Sequence, residues 1–206
     1  MSAIAIVVLA AGASKRMGVP KQLLPFRGRT LVRHAVDAAL ASTCRPVVIV
    51  LGANAGQIQP EVEGLPLQIV QNPHWTEGLG SSIRAGSEAL MSGAAPPEAV
   101  VLALCDQPLV RSDDIDALVT AYRSMKRPII ASEYAGTLGV PALFAQPVLP
   151  ELLRLAGDAG AKQVIQRHLA AVWPVSCPHG AVDLDTLEDY ETIRSGTCDA
   201  GSLQPE

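Results

Sequence analysis

The chain has 206 residues, enough for one α/β domain and little more. Hydrophobic residues make up 49% and aromatics 3%, so a core of Ala, Val, Ile and Leu is expected, as in a buried parallel sheet covered by helices. The formal charge of −4 excludes a global positive field for nucleic acid, so an anionic ligand must be met locally by a few cations, oriented amides and a metal ion.

Apolar runs of strand length alternate with segments of helical period, the pattern of βαβ units. Ile4–Leu9 is a continuous apolar run, as in a strand buried on both faces, and ends in the turn Ala10-Ala11-Gly12. No basic residue precedes that run, and it is far shorter than the roughly 20 residues that span a bilayer. A cytoplasmic protein without a membrane segment is expected. Thr30 is placed to cap a helix with Leu31, Ala35, Ala39 and Leu40 on one face. Val47–Leu51 is the next strand, closed by Gly52, and Leu67–Val70 is a third, leading into Gln71-Asn72-Pro73. Gly78-Leu79-Gly80-Ser81-Ser82 opens a helix with Ile83, Gly86, Ser87 and Leu90 inward. Val100–Leu104 is a strand running into Cys105-Asp106-Gln107-Pro108. Ser112 is expected to cap a helix whose first turn holds Asp113 and Asp114 and whose apolar face is Ile115, Leu118, Val119 and Tyr122. Pro128–Ala131 is another strand. Gly139–Phe144 reads as an edge strand because it contains Pro141. Ala161–Leu169 reads as helix, Val172–Val175 as strand and Thr186–Arg194 as a closing helix capped by Thr186. No repeat or linker interrupts the chain, so residues 1–194 are expected to form one domain and 195–206 a disordered tail.

Cys44, Cys105, Cys177 and Cys198 form no C-x-x-C pair and read as free thiols of a reducing compartment. Cys177-Pro178-His179 has no partner elsewhere for a metal site and reads as a surface loop.

In an open α/β sheet, ligands bind beyond the carboxyl ends of the strands. Four unusual segments fall at that edge: Ala10–Lys21, Gln71–Ser82, Cys105–Pro108 and Val182–Asp185. In the first, Gly12 keeps a Cβ out of the way of a phosphate, and Ser14, Lys15, Arg16 and Lys21 supply a hydroxyl and cations. The spacing is neither G-x-G-x-x-G nor G-x-x-x-x-G-K-[ST], so the loop alone fits a phosphate cradle or an ordinary βα turn equally. Asp106 fits a metal ligand or a cap for the turn before Pro108. Asp183 and Asp185, placed by alternation on one side of a strand, fit a metal site or a helix cap. Trp75 reads more readily as an anchored loop residue than as a stacking platform, and Asp158 fits a helix start or a substrate contact.

The run Leu9-Ala10-Ala11-Gly12-Ala13-Ser14-Lys15-Arg16-Met17-Gly18-Val19-Pro20-Lys21-Gln22-Leu23-Leu24-Pro25 resembles the signature loop of the MobA-like nucleotidyltransferases. Within them it is most similar to the molybdenum cofactor cytidylyltransferase branch. The likeness continues in Asn72 to Ile83, Leu104 to Pro108, Gly157 to Lys162 and Val182 to Tyr190, in the family's order, and so covers Ile4 to about Ile193. It implies a Rossmann-like three-layer αβα sandwich of the nucleotide-diphospho-sugar transferase type, with a mostly parallel sheet and one antiparallel strand. It implies that Leu9, the Ala10–Gly12 backbone and Arg16 hold the triphosphate, with Lys21 at the α-phosphate. Asn72, Gly80, Ser81 and Ser82 would line the base and ribose. Asp106 would bind Mg²⁺ with Asp185, or Asp183, as second acidic partner, and Arg16, Lys21 and Asp106 would carry the chemistry.

The implied reaction moves CMP from CTP to the phosphate of a molybdopterin-type cofactor and releases pyrophosphate. Its product would pass to a molybdenum hydroxylase or dehydrogenase. Relatives that use GTP tend to carry Gly where this chain has Ala11, so CTP is expected. Val140 stands where some relatives place a polar residue near the acceptor, which leaves the pterin end open. Two other readings remain at this point: transfer to a sugar or polyol phosphate, and a non-catalytic chaperone of molybdenum cofactor.

Overall fold

The computed structural model describes residues 3–93 and 95–195. The first strand, β1 (Ile4–Ala10), is buried along its whole length, as an apolar run between two layers of helix must be. A hairpin of β2 (Pro25–Phe26) and β3 (Arg29–Thr30) leads into α1 (Leu31–Ala41) and β4 (Val47–Leu51). A short α2 (Ala55–Ile58), β5 (Gln68–Gln71), α3 (Leu79–Met91) and β6 (Ala99–Leu104) complete the first half. The second half runs α4 (Ser112–Met125), β7 (Ile129–Tyr134), β8 (Thr137–Ala145), α5 (Leu149–Leu152), α6 (Ala161–Arg167), β9 (Val172–Ser176) and α7 (Leu187–Arg194).

The main sheet has seven strands in the order β5-β4-β1-β6-β8-β7-β9. β8 alone runs antiparallel to its neighbours; the other pairings are parallel. Side chains alternate along β1, so Ile6 and Val8 join Val36, Ile115 and Leu118 on one face, while Val7 and Leu9 join Ile83, Phe144 and Ile165 on the other. The result is the expected αβα sandwich. α3 lies very close to the sheet: a Cβ on Gly86 would stand 2.6 Å from Val7 Cγ1. Among the described residues no helix is long and apolar enough to cross a membrane.

Several local expectations change. The strand holding Pro141 is interior, not an edge: β8 lies between β6 and β7. The proline is tolerated because the β7–β8 register jumps from Ala131↔Ala142 to Ser132↔Gly139, and the β6 ladder stops at Ala142. Pro141 thus sits in a bulge where no ladder bond is required of it. Thr30 does occupy the cap position of α1, but its hydroxyl donates to Glu61 at 2.8 Å and makes no cap bond. The helix buries Leu31, Val32, Val36 and Ala39 fully, and Ala35 and Leu40 of the expected face are partly buried against the same core. Ser112 is the first residue of α4 rather than its cap; the Asp114 carboxylate accepts from the Arg111 backbone N–H at 2.8 Å. Thr186 caps α7 as expected, its Oγ1 accepting from Asp189 N–H at 3.1 Å. The expected tail lies outside the described residues beyond Ser195, as does Cys198. Cys44, Cys105 and Cys177 are free and buried, and Cys177 lies in a packed 3-10 turn rather than a surface loop. His179 in that turn pairs with Asp114 at 3.0 Å.

Candidate functional site

The loops after β1, β5 and β6 meet at the carboxyl edge of the sheet and enclose a cleft of about 760 Å³. Leu9, Ala10, Ala11, Gly12, Arg16, Lys21, Ser82, Asp106 and Asp185 all line it. Lys15, Gln22, Trp75, Thr76, Leu79 and Asp158 join them.

The first loop is shaped by its own side chains. Ser14 takes a left-handed conformation, with φ 52°, and its Oγ accepts the Lys21 backbone N–H at 2.9 Å. Gln22, almost fully buried, turns its amide back to donate to the carbonyls of Ala10 at 3.1 Å and Gly12 at 2.7 Å. Met17 anchors the loop in an apolar cluster with Phe26, Leu31, Leu109 and Leu184. Gly12 has no left-handed φ, and a Cβ there would meet no protein atom within 4 Å. The protein's own packing therefore does not require glycine at this position. Gln22 was not singled out from the sequence, because an amide beside a lysine carries no signal that it folds back on its own loop.

Lys21 reaches across the cleft. Its Nζ donates to Asp106 Oδ2 at 2.5 Å, to Asp185 Oδ1 at 3.1 Å and to the Leu184 carbonyl at 3.2 Å. Burial works to lower the Lys21 pKa, but the charge and hydrogen bond of Asp106 outweigh it, and the ammonium is held above its ordinary range. Asp106 Oδ1 is buried and has no hydrogen-bond partner among the described residues. A carboxylate oxygen left this way normally costs about 1–3 kcal/mol, more when charged, so it calls for a partner. Arg16 stands at the rim, 76% exposed, with Nη1 3.7 Å from Asp185 Oδ2.

Residues 182–185 form no strand, so alternation does not apply to Asp183 and Asp185. The backbone is instead pinned by Leu184, whose N–H donates to the Asp106 carbonyl at 3.1 Å and whose side chain is buried. That arrangement sends Asp185 to Lys21. Desolvation first, and then the Asp106 charge, push the Asp183 carboxyl up to about 6. The α7 capping box pairs Thr186 with Asp189, whose carboxylate accepts from the Thr186 N–H at 2.8 Å and the Asp185 N–H at 3.1 Å, so neither Asp183 nor Asp185 is needed for it. Nor does Asp106 cap its own turn: its bonded oxygen goes to Lys21.

Three expected nucleotide contacts lie off the cleft surface. Asn72 and Ser81 are buried, with Asn72 Nδ2 donating to Ser81 Oγ at 2.8 Å and Ser82 Oγ at 3.1 Å. Asn72 Oδ1 accepts from His74 N–H at 2.9 Å, and Ser81 Oγ is shared with the carbonyls of His74 and Gly78. These groups fold the turn that carries Trp75 and Thr76 into the cleft. Gly80 gives room to another loop: a Cβ there would lie 2.8 Å from the Ala156 backbone nitrogen. Gln107, also buried, donates from Nε2 to the Val140 carbonyl at 3.1 Å and the Gly180 carbonyl at 3.0 Å, tying the β6 loop to β8.

A sequence model of the MobA-like NTP transferase domain matches residues 6–172. Nicotine blue oxidoreductase of Paenarthrobacter nicotinovorans is 36% identical over 197 residues, 91% of each chain. Molybdenum cofactor cytidylyltransferase of Escherichia coli is 24% identical over 195 residues, 94% of this chain and 97% of that one. Among solved structures, Rv0371c of Mycobacterium tuberculosis in complex with manganese is 27% identical, with a TM-score of 0.76 over 94% of this chain and 99% of that one. With this coverage, fold and loop arrangement, the chain belongs to the MobA-like NTP transferase family.

Proposed function

We propose that the chain transfers CMP from CTP to the phosphate of a molybdopterin-type cofactor, releasing pyrophosphate, with a divalent cation, Mg²⁺ by preference. The observation that carries the reading is the Lys21–Asp106–Asp185 cluster facing the Gly12 loop across one cleft.

The residues present fit a hard cation. Among the described residues Asp106 Oδ1 lacks a partner, and Asp185 brings a second carboxylate to the same Lys21 ammonium. One or two carboxylates completed by substrate phosphates is the usual manner of holding Mg²⁺. When bound, the ion would add positive charge at the triphosphate. The relative solved with manganese supports use of such a metal.

The chemistry asked of the protein is mainly electrostatic. A phosphate oxygen of the acceptor bonds to the α-phosphorus of CTP, and the bond to the bridging oxygen of pyrophosphate breaks. The attacking oxygen is already anionic, so no general base is needed. Two anions must be brought together while charge builds on the leaving group. Lys21, kept protonated by its carboxylate neighbours, offers a fixed cation, and exposed Arg16 is free to close over the phosphates. The bare Gly12 edge lets backbone amides approach them. Ala11 and the likeness to the cytidylyltransferase support CTP, and that likeness also supports delivery of the product to a molybdenum hydroxylase.

Pyrophosphate release from CTP, GTP, ATP and UTP, with molybdopterin and with sugar or polyol phosphates, tests the assignment. Release from CTP with molybdopterin is expected. Turnover of CTP only with a sugar phosphate would sink the acceptor assignment. The 36% identical relative named an oxidoreductase supplies the competing outcome, which is consumption of a reduced cofactor with no pyrophosphate formed.

A further inference from the structure

The segment that brings Asp185 to Lys21 lies in no strand, so no sheet ladder decides where it runs. Two of the groups that do decide it belong to one dipeptide. Leu184 N–H, just before Asp185, donates to the Asp106 carbonyl at 3.1 Å. At the start of the segment, the Gly180 carbonyl accepts from Gln107 Nε2 at 3.0 Å. Residues 180–184 are thus pinned at both ends to Asp106 and Gln107, by backbone at one end and by side chain at the other.

The Gln107 amide is almost fully buried, and its Nε2 donates also to the Val140 carbonyl of β8 at 3.1 Å. Turning the amide over would set Oε1 against two carbonyl oxygens, so its orientation is fixed. In that orientation Oε1 is buried with no partner among the described residues, a loss that an apolar side chain of similar length would avoid. The two anchor points are themselves held. The Val140 carbonyl accepts a second bond, from the Tyr134 hydroxyl at 3.0 Å. A Cβ on Gly180 would stand 2.8 Å from two ring carbons of Tyr134. Gly180 has no left-handed φ, so its glycine serves this close approach. Tyr134 therefore braces the bulge of β8 and the Gly180 turn against each other, and Gln107 ties both to the residue beside it, Asp106.

We propose that Gln107 is a positioning residue that sets how Asp185 stands relative to Asp106, and through that spacing the affinity of the cleft for its divalent cation. A cation held by one or two carboxylates depends on where they stand. The inference rests on the reading above for the presence of a metal ion at Asp106 and Asp185.

Gln107→Met keeps the length of the side chain and removes both donors. Binding of Mn²⁺ alone, followed by the electron paramagnetic resonance of the free ion, is expected to weaken about 10-fold, the lower end of what loss of an outer partner of a metal site costs. The Mg²⁺ concentration for half-maximal pyrophosphate release should rise in proportion, with turnover restored at saturating Mg²⁺. Ser132→Ala separates this from lost stability. Ser132 Oγ donates to the Pro141 carbonyl at 2.6 Å in the same bulge and does not reach residues 180–185. Its removal should lower the melting temperature and leave Mn²⁺ affinity within about twofold. Gln107→Asn, an amide too short for both carbonyls, should weaken Mn²⁺ binding in the same direction and carries the test if Gln107→Met does not fold. Mn²⁺ affinity within about twofold of the original in the Gln107 variants would overturn the proposal, as would an equal loss in Ser132→Ala. If the unmodified chain binds no Mn²⁺, the metal reading and this proposal fall together. Mn²⁺ binding that depends on Gln107, with no pyrophosphate released from any nucleotide, would overturn the transfer reading and support the placement of Asp185 by Gln107.

Discussion

Asp106 has one oxygen on Lys21 and one with no partner among the described residues, so its charge and its hydrogen-bonding shape are separable by substitution. Asp106→Asn keeps a polar group of the same outline beside Lys21 and removes the charge. Loss of a preorganised charge of this kind typically raises the barrier by about 3 kcal/mol, roughly a hundredfold in rate. Turnover of the variant should fall by that order while its melting temperature stays near that of the unmodified chain. A rate within about threefold of the original would remove Asp106 from the chemistry. Asp183 makes a different prediction. Its folded pKa of about 6 lies above the ordinary 3.8, so the native state holds this proton more tightly than the unfolded chain does. Stability is therefore lost as pH rises through that window, and above it the ionised carboxyl opposes folding in full. Asp183→Asn should raise the melting temperature at about pH 8 and change it little at about pH 4. Because the Asp183 side chain is exposed, solvent screens the effect and the gain is discounted to about 2 °C. Equal shifts at both pH values would contradict the assignment.

At the scale of elements, the turn from β5 into α3 shows what sequence periodicity reveals and what it hides. Ile83, Gly86, Ser87 and Leu90 were legible as the inner face of α3, because a helix repeats every 3.6 residues. The hydrogen bonds of Asn72, Ser81 and Ser82 were not, because they join residues nine and ten apart through a turn whose shape no repeat encodes. The sequence marked these residues as important but suggested that they touch the nucleotide. In the structure Asn72 and Ser81 are buried within the turn, while Ser82, also bonded to Asn72, lines the cleft. Asn72→Ala should cost about 2 kcal/mol in urea unfolding, since it strands several buried polar partners. Its effect on catalysis should fall on KM more than on kcat, because Trp75 and Thr76 lose their support. A kcat defect with unaltered KM and stability would instead favour direct contact with the reacting groups. Pro141 gives the companion lesson. Proline was read as the mark of an edge, and the strand is interior because a bulge removes the ladder bonds proline cannot make. Bulges leave no periodic trace.

Across the whole molecule, the alternation of apolar runs with helical segments was enough for the layer architecture and the parallel half of the sheet. The position of β8 between β6 and β7 was not readable, since neighbours in a sheet need not be neighbours in the chain. The site followed the same division. The Gly12 loop and Asp106 stand at the ends of central strands, where the parallel topology itself brings them together. Asp185 arrives from a strandless segment held by Leu184, and its contact with Lys21 was not legible in the sequence because no repeat encodes that segment's path. The cleft so formed gathers cations and carboxylates around Lys21, which suits a ligand with a charged tail. The most direct measurement follows each phosphate separately: CTP labelled at the α- or at the γ-phosphorus is incubated with molybdopterin and Mg²⁺. The α-label should appear in a molybdopterin dinucleotide and the γ-label in pyrophosphate, with both transfers lost in Asp106→Asn. If both labels remain on CTP, or the γ-label leaves as inorganic phosphate while the α-label stays in CDP, nucleotidyl transfer to this acceptor is contradicted.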